Sequence, residues 1–126
     1  MKFYFILFIF ILFFVRCDGL DEKLKIVNKS EEELYYLLKT DTILSEDLRL
    51  SPFRNFDTIK VGIVGGEGAW EYRINNKSKD STLYVFIFSD KKITSDLIFN
   101  REYIVKGFKV KDLNEHSWIL TYPDDF

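Results

Sequence analysis

A mostly β fold, an antiparallel β-sandwich or strongly bent sheet with one or two short helices near the C-terminal end, is predicted by three stretches of this sequence. Leu24 and Ile26 alternate with Lys23 and Lys25 at period two, the pattern of a strand with one wet face. Residues 58–64 (TIKVGIV) are rich in β-branched side chains, which suit a pleated surface. Residues 81–89 (STLYVFIFS) carry apolar groups on both faces, and a strand covered on both sides is central to its sheet.

The other elements follow in order. Asn28-Lys29-Ser30 supplies turn chemistry after the first strand. In residues 33–40 (ELYYLLKT), Leu34, Leu37 and Leu38 fit helical spacing, but Tyr35, Tyr36 and the short length favour a strand, paired with the first as a hairpin. Residues 41–57 read as a long connection anchored by Leu48, Leu50 and Phe53. Residues 70–75 are either a short strand or a single helical turn, and 76–80 form a polar turn. Ile93, Leu97 and Ile98 predict a short helix within 90–99. Residues 103–110 read as a strand, 111–116 as one helical turn, and 118–122 as a closing strand before Pro123.

Ahead of this domain stands an export signal. Lys2 is followed by an apolar run over residues 3–15 that Arg16 ends. A membrane-spanning helix needs about 20 apolar residues, whereas a cleavable signal needs only about 7–15. The division expected is a signal peptide over 1–16, a tether over 17–23, one globular β-rich domain over 24–123 and a tail over 124–126. Cys17 is the only cysteine, so an intramolecular disulfide is excluded. It stands where lipoproteins carry the cysteine that becomes lipid-modified, although Arg16 departs from the small residue of a lipobox. Cleavage after Cys17 would instead release a soluble periplasmic or secreted protein.

Removing Lys2 and Arg16 leaves 16 basic residues against 20 acidic ones, a formal charge of −4. No cluster of Lys and Arg creates the positive field that a phosphate backbone requires, so nucleic acid is not an expected partner.

The Asn28-Lys29-Ser30 turn, the LYVFIF run at 83–88, Asp112-Leu113 and the stretch from Trp118 to Pro123 together resemble a family of small exported proteins and lipoproteins of Bacteroidetes. The resemblance covers most of the mature chain and is weakest over 41–75. It implies export, to the outer membrane or cell surface, and carries no activity. It also gives meaning to the acidic residues Asp18, Asp21 and Glu22 behind the cysteine, which look like a surface-export signal or else a solvated linker. Asp41-Thr42-Ile43, Asp57-Thr58-Ile59 and Asp80-Ser81-Thr82 resemble an O-glycosylation sequon, making Thr42, Thr58 and Ser81 candidate glycosylation sites.

Catalytic spacing is hard to find. Gly62, Gly65, Gly66 and Gly68 lack the G-x-G-x-x-G order of a nucleotide loop and read as a turn or bulge. His116, the single histidine, has no zinc or triad spacing around it and reads as a helix end. Asp124-Asp125 with Glu67 or Glu71 could supply a carboxylate pair for hydrolysis. Asn28 and Asn76 each begin an N-x-S acceptor for N-glycosylation. Trp70 and Tyr72 are the candidate aromatic binding face, with Tyr35, Tyr36 and Trp118 as further aromatics. No catalytic, metal or cofactor residue is assigned. The function expected is a non-enzymatic cell-envelope module that reaches the membrane through a lipid on Cys17 and binds an envelope protein or glycan. The alternative is a small secreted hydrolase using carboxylates.

Overall fold

In a computed structural model the protein is described over residues 19–64 and 69–126. Mostly β, it builds two sheets. β1 (Leu20–Asn28) is the middle strand of the first, between antiparallel β4 (Thr58–Val64) and parallel β7 (Ile119–Tyr122). Ile26 stands between Ile59 and Leu120, so this sheet turns an aliphatic row inward. The strand starts at Leu20, inside the stretch expected to be a tether. A β-bulge places Glu22 and Lys23 opposite the single residue Gly62, which breaks the alternation that would have revealed the strand's first half. A Cβ on Gly62 would lie 3.2 Å from Glu22 Cγ, so the bulge favours glycine there.

The second sheet runs β3-β2-β5-β6, from β3 (Ser51–Phe53) through β2 (Leu34–Lys39) and β5 (Leu83–Phe88) to β6 (Ile104–Phe108), all antiparallel. As expected, β5 is internal and buried on both faces. Leu83, Val85 and Ile87 join the core against the first sheet. Phe86 and Phe88 face away from it, under Ile93 and Leu97, with Tyr35, Leu37, Leu44, Leu48, Leu50 and Tyr103 around them. The segment between β2 and β3 is therefore a cover for the second sheet, and the anchors expected at Leu48, Leu50 and Phe53 all pack.

The expected hairpin of β1 with β2 does not form, because the two strands belong to different sheets. Asn28 explains why. Its side chain is fully buried, donating to the carbonyls of Glu32 and Phe53 at 2.9 Å each and accepting from the Ser30 amide at 2.9 Å and hydroxyl at 2.7 Å. These bonds fasten the end of β1 to β3 and redirect the chain across to the other sheet.

α1 (Ala69–Lys77) settles the open choice at 70–75 as a helix, with Trp70 and Ile74 buried one turn apart. α2 (Ser95–Asn100) is capped by Thr94, whose hydroxyl accepts the Leu97 amide at 3.2 Å, and is ended by Arg101 in the left-handed region. α3 (Val110–Glu115) buries Leu113 and leads into Ser117 and Trp118, both left-handed, before β7. Residues 124–126, expected as a tail, fold back. The Thr121 amide donates to Asp125 at 2.6 Å, and Phe126 packs 5.8 Å from Phe108 and 5.9 Å from Tyr122.

Candidate functional site

A dense polar arrangement forms where the bulge of β1 meets α1 and the start of β7. The Trp70 indole N–H bridges the carbonyls of Asp21 (3.0 Å) on β1 and Val61 (3.2 Å) on β4, and the Trp70 amide donates to the Asp21 carboxylate at 3.0 Å. Lys23 donates to Glu71, lies 3.8 Å from Asp21 and stands 4.4 Å above the Trp118 ring. Trp118 in turn donates its indole N–H to Asn114 at 2.8 Å, and its carbonyl accepts the Lys25 amide at 2.8 Å. A tryptophan with φ of 59° is strained and persists because both its ring and its backbone are held this way. The Lys23 ammonium is committed to two carboxylates and a ring face, so it acts as a cross-link between strand, helix and β7. Glu71 Oε2 is buried without a hydrogen-bond partner, which leaves this junction sensitive to loss of the cation.

The residues singled out from sequence are dispersed. Trp70 is 2% exposed and belongs to the core, whereas Tyr72 is 64% exposed. Two positions apart on a helix, they point to opposite sides and do not share a face. Trp118 is also buried. Thr42 is exposed on the connection after β2, Thr58 is exposed at the first position of β4, and Ser81 is half-buried with φ of 55° in the turn before β5. Asn28 is excluded as a glycosylation acceptor in the folded protein, since it is enclosed and both its amide hydrogens are donated. Asn76 is exposed and donates to the Tyr72 carbonyl at 2.9 Å. Cys17, the export run, Glu67 and Gly65, Gly66 and Gly68 lie outside the described residues.

Of the carboxylates proposed as a pair, Glu71 is held by Lys23, and Asp125 by the Thr121 amide and by His116 at 3.2 Å. His116 does end α3, with its Nδ1 against the Asp112 carbonyl at 2.8 Å, as expected of a helix-terminal imidazole.

Two open grooves flank the second sheet. One, of about 610 Å³, runs between residues 46–52 and 91–93 over Tyr35. The other, of about 460 Å³, is lined by residues 40–43, Lys77, Lys79, Asp80 and Tyr84. Hydrogen bonding holds both of its carboxyls below the usual carboxylate range: Asp41 bonds with Lys39 and the Ile43 amide, Asp80 with the Ser78 and Tyr84 hydroxyls. The same bond to Asp80 pushes the Tyr84 phenol up.

A third surface was not visible in the sequence. β6 is an edge strand whose first four residues are exposed, Ile104 and Val105 at 41% each, and Phe99 just before it is 87% exposed. β3, at the opposite edge, has only three residues and is interrupted by Pro52, which blunts it against further pairing. Among the described residues no helix is long and apolar enough to cross a membrane. No protein-family model, curated protein or solved structure matches the chain.

Proposed function

We propose that this protein is a non-enzymatic cell-envelope module, exported by its N-terminal signal and anchored through a lipid on Cys17, that binds a protein partner along β6. The carrying observation is the open edge of the second sheet, where Ile104 and Val105 are displayed on adjacent positions and Phe99 stands exposed nearby in the chain. An edge strand offers unpaired backbone donors and acceptors to an incoming strand, and alternate side chains read its sequence.

The test is photo-crosslinking in the envelope of the native host, with a benzophenone side chain at position 105 and, as control, at position 58 on the other sheet. One defined protein adduct from position 105, absent from 58 and lost on Ile104→Lys, is expected. Equal adducts at both positions, or none at 105, would sink the reading.

A glycan partner is the second reading, favoured by the groove lined by Asp41, Asp80 and Tyr84. Ionised carboxylates accept sugar hydroxyls and a tyrosine ring can stack on a sugar face. Loss of glycan retention on Tyr84→Ala, with the position-105 adduct unchanged, would favour it.

A further inference from the structure

The single histidine and the last aspartate face one another in an arrangement that counts protons. His116 Nδ1 is 2.8 Å from the Asp112 carbonyl, which can only accept, so Nδ1 carries a hydrogen. In the neutral ring that leaves Nε2 as a bare lone pair, yet Nε2 lies 3.2 Å from Asp125 Oδ1. The other carboxylate oxygen of Asp125 is occupied by the Thr121 amide at 2.6 Å. Two acceptors face each other across the 3.2 Å contact unless a proton lies between them. We infer that residues 123–126 are a proton-gated strap: a proton between His116 and Asp125 fastens it, and loss of that proton as the pH rises loosens it.

The strap has something to cover. Phe126 sits edge-on against Phe108, the last residue of β6, and against Tyr122 at the end of β7. His116 packs on the same Phe108 ring, at 6.3 Å. Neighbouring charged groups have contacts of their own: the Asp112 carboxylate accepts the Lys109 amide at 2.8 Å, Lys106 stands 5.8 Å over the Phe108 ring, and Lys29 pairs with Asp124 at 3.8 Å. Lys106 lies on the β6 side of the shared ring and disfavours a second positive charge on His116, while Asp125 favours it. The direct contact decides the sign because it is the shorter. The fastened form binds one more proton than the loosened form, so fastening weakens as the pH rises. The inference stands apart from the binding reading, since it concerns only the strap and its latch.

Amide hydrogen exchange of Thr121, corrected for its intrinsic pH dependence, reads the strap directly. Protection in the wild-type chain is expected to fall about fivefold between pH 5.5 and pH 8, the modest size that suits a half-exposed pair. His116→Gln removes the titrating ring and flattens the profile. Asp125→Asn works in the opposite sense: its amide donates to the neutral Nε2 at any pH, so protection at pH 8 matches that at pH 5.5. A flat wild-type profile in the folded protein, an unchanged slope in His116→Gln, or an Asp125→Asn profile that tracks the wild type would each overturn the inference.

Discussion

Tyr84 lies across Gly107 on the neighbouring strand, so closely that a Cβ built on the glycine would come 3.1 Å from Tyr84 Cε1 and 2.7 Å from Thr82 Cγ2. The glycine is a seat for the aromatic ring, and the ring covers an edge-strand position with no side chain of its own. Gly107→Ala is therefore expected to destabilise the fold by about 1–3 kcal/mol through overpacking. Thr82→Ser keeps the hydroxyl and removes the closer methyl, so the double variant should recover part of the loss. Urea unfolding of the four proteins gives the cycle, and strictly additive effects would show that the steric account is wrong.

At Asn28 two donated and two accepted hydrogen bonds end in a fully buried side chain. Asn28→Ala strands the carbonyls of Glu32 and Phe53 and should cost about 2–4 kcal/mol. Asn28→Asp should cost more, because it turns a buried negative charge toward two carbonyl oxygens. A ranking in which Asp is tolerated better than Ala in chemical denaturation would contradict this picture.

Lys23 holds Glu71 and Asp21 while covering Trp118. Lys23→Met removes the cation from both carboxylates with Glu71 Oε2 already lacking a partner, an expected loss of about 1–3 kcal/mol. Lys23→Met with Glu71→Met removes the orphaned charge together with the cation and should recover about half. The midpoint of thermal unfolding distinguishes these outcomes, and a double variant less stable than Lys23→Met alone would refute the account.

Asp80 and Tyr84 should titrate as a linked pair. The Ser78 and Tyr84 hydroxyls hold Asp80 below its ordinary value, and Asp80 holds the Tyr84 phenol above 10.0. Because the aspartate's folded pKa is depressed, its stabilising contribution is present above the unfolded value of 3.8 and fades as the pH drops through the folded one. Carboxyl-detected NMR should show the Asp80 titration moving upward in Tyr84→Phe while that of Asp47, lowered by Ser45, stays in place. A stationary Asp80 would show that the hydroxyl has no part in the shift.

Intact mass of the mature protein from its native host tests the anchor. Under the proposed function a diacylglyceryl or triacyl adduct sits on residue 17 and disappears in Cys17→Ala. An unmodified chain beginning near Asp18 would instead establish release as a soluble protein.

What the sequence disclosed depended on how local each feature is. The doubly apolar run of β5 marks an internal strand wherever it pairs, and the β-branched run of β4 marks a strand by itself. Strand partners were beyond reach. The turn residues after β1 suggested a hairpin, but Asn28 spends its side chain on tying β1 to β3, and β1 pairs with β4 and β7 instead. The bulge opposite Gly62 hid the first half of β1, since alternation fails where two residues face one. For the candidate sites, residue type was visible and placement was not. Trp70 and Tyr72 are large aromatics close in sequence, but only the helical phase of α1 sends one inward and the other out. The exposed edge at β6 followed from the order of strands, which no local pattern encodes.

The parallel pairing of β1 with β7 has a kinetic meaning. β1 is the middle strand of its sheet, yet its two neighbours lie far downstream, and the last of them ends at Tyr122. A chain threaded through a membrane with its N-terminal end leading would emerge with β1 first and β7 last. The first sheet cannot close until nearly the whole polypeptide has arrived, because contacts so distant along the chain form slowly and only when both ends are present. Under the proposed export, the first sheet would be completed only after β7 had followed β1 across, so its closure would come late in the passage.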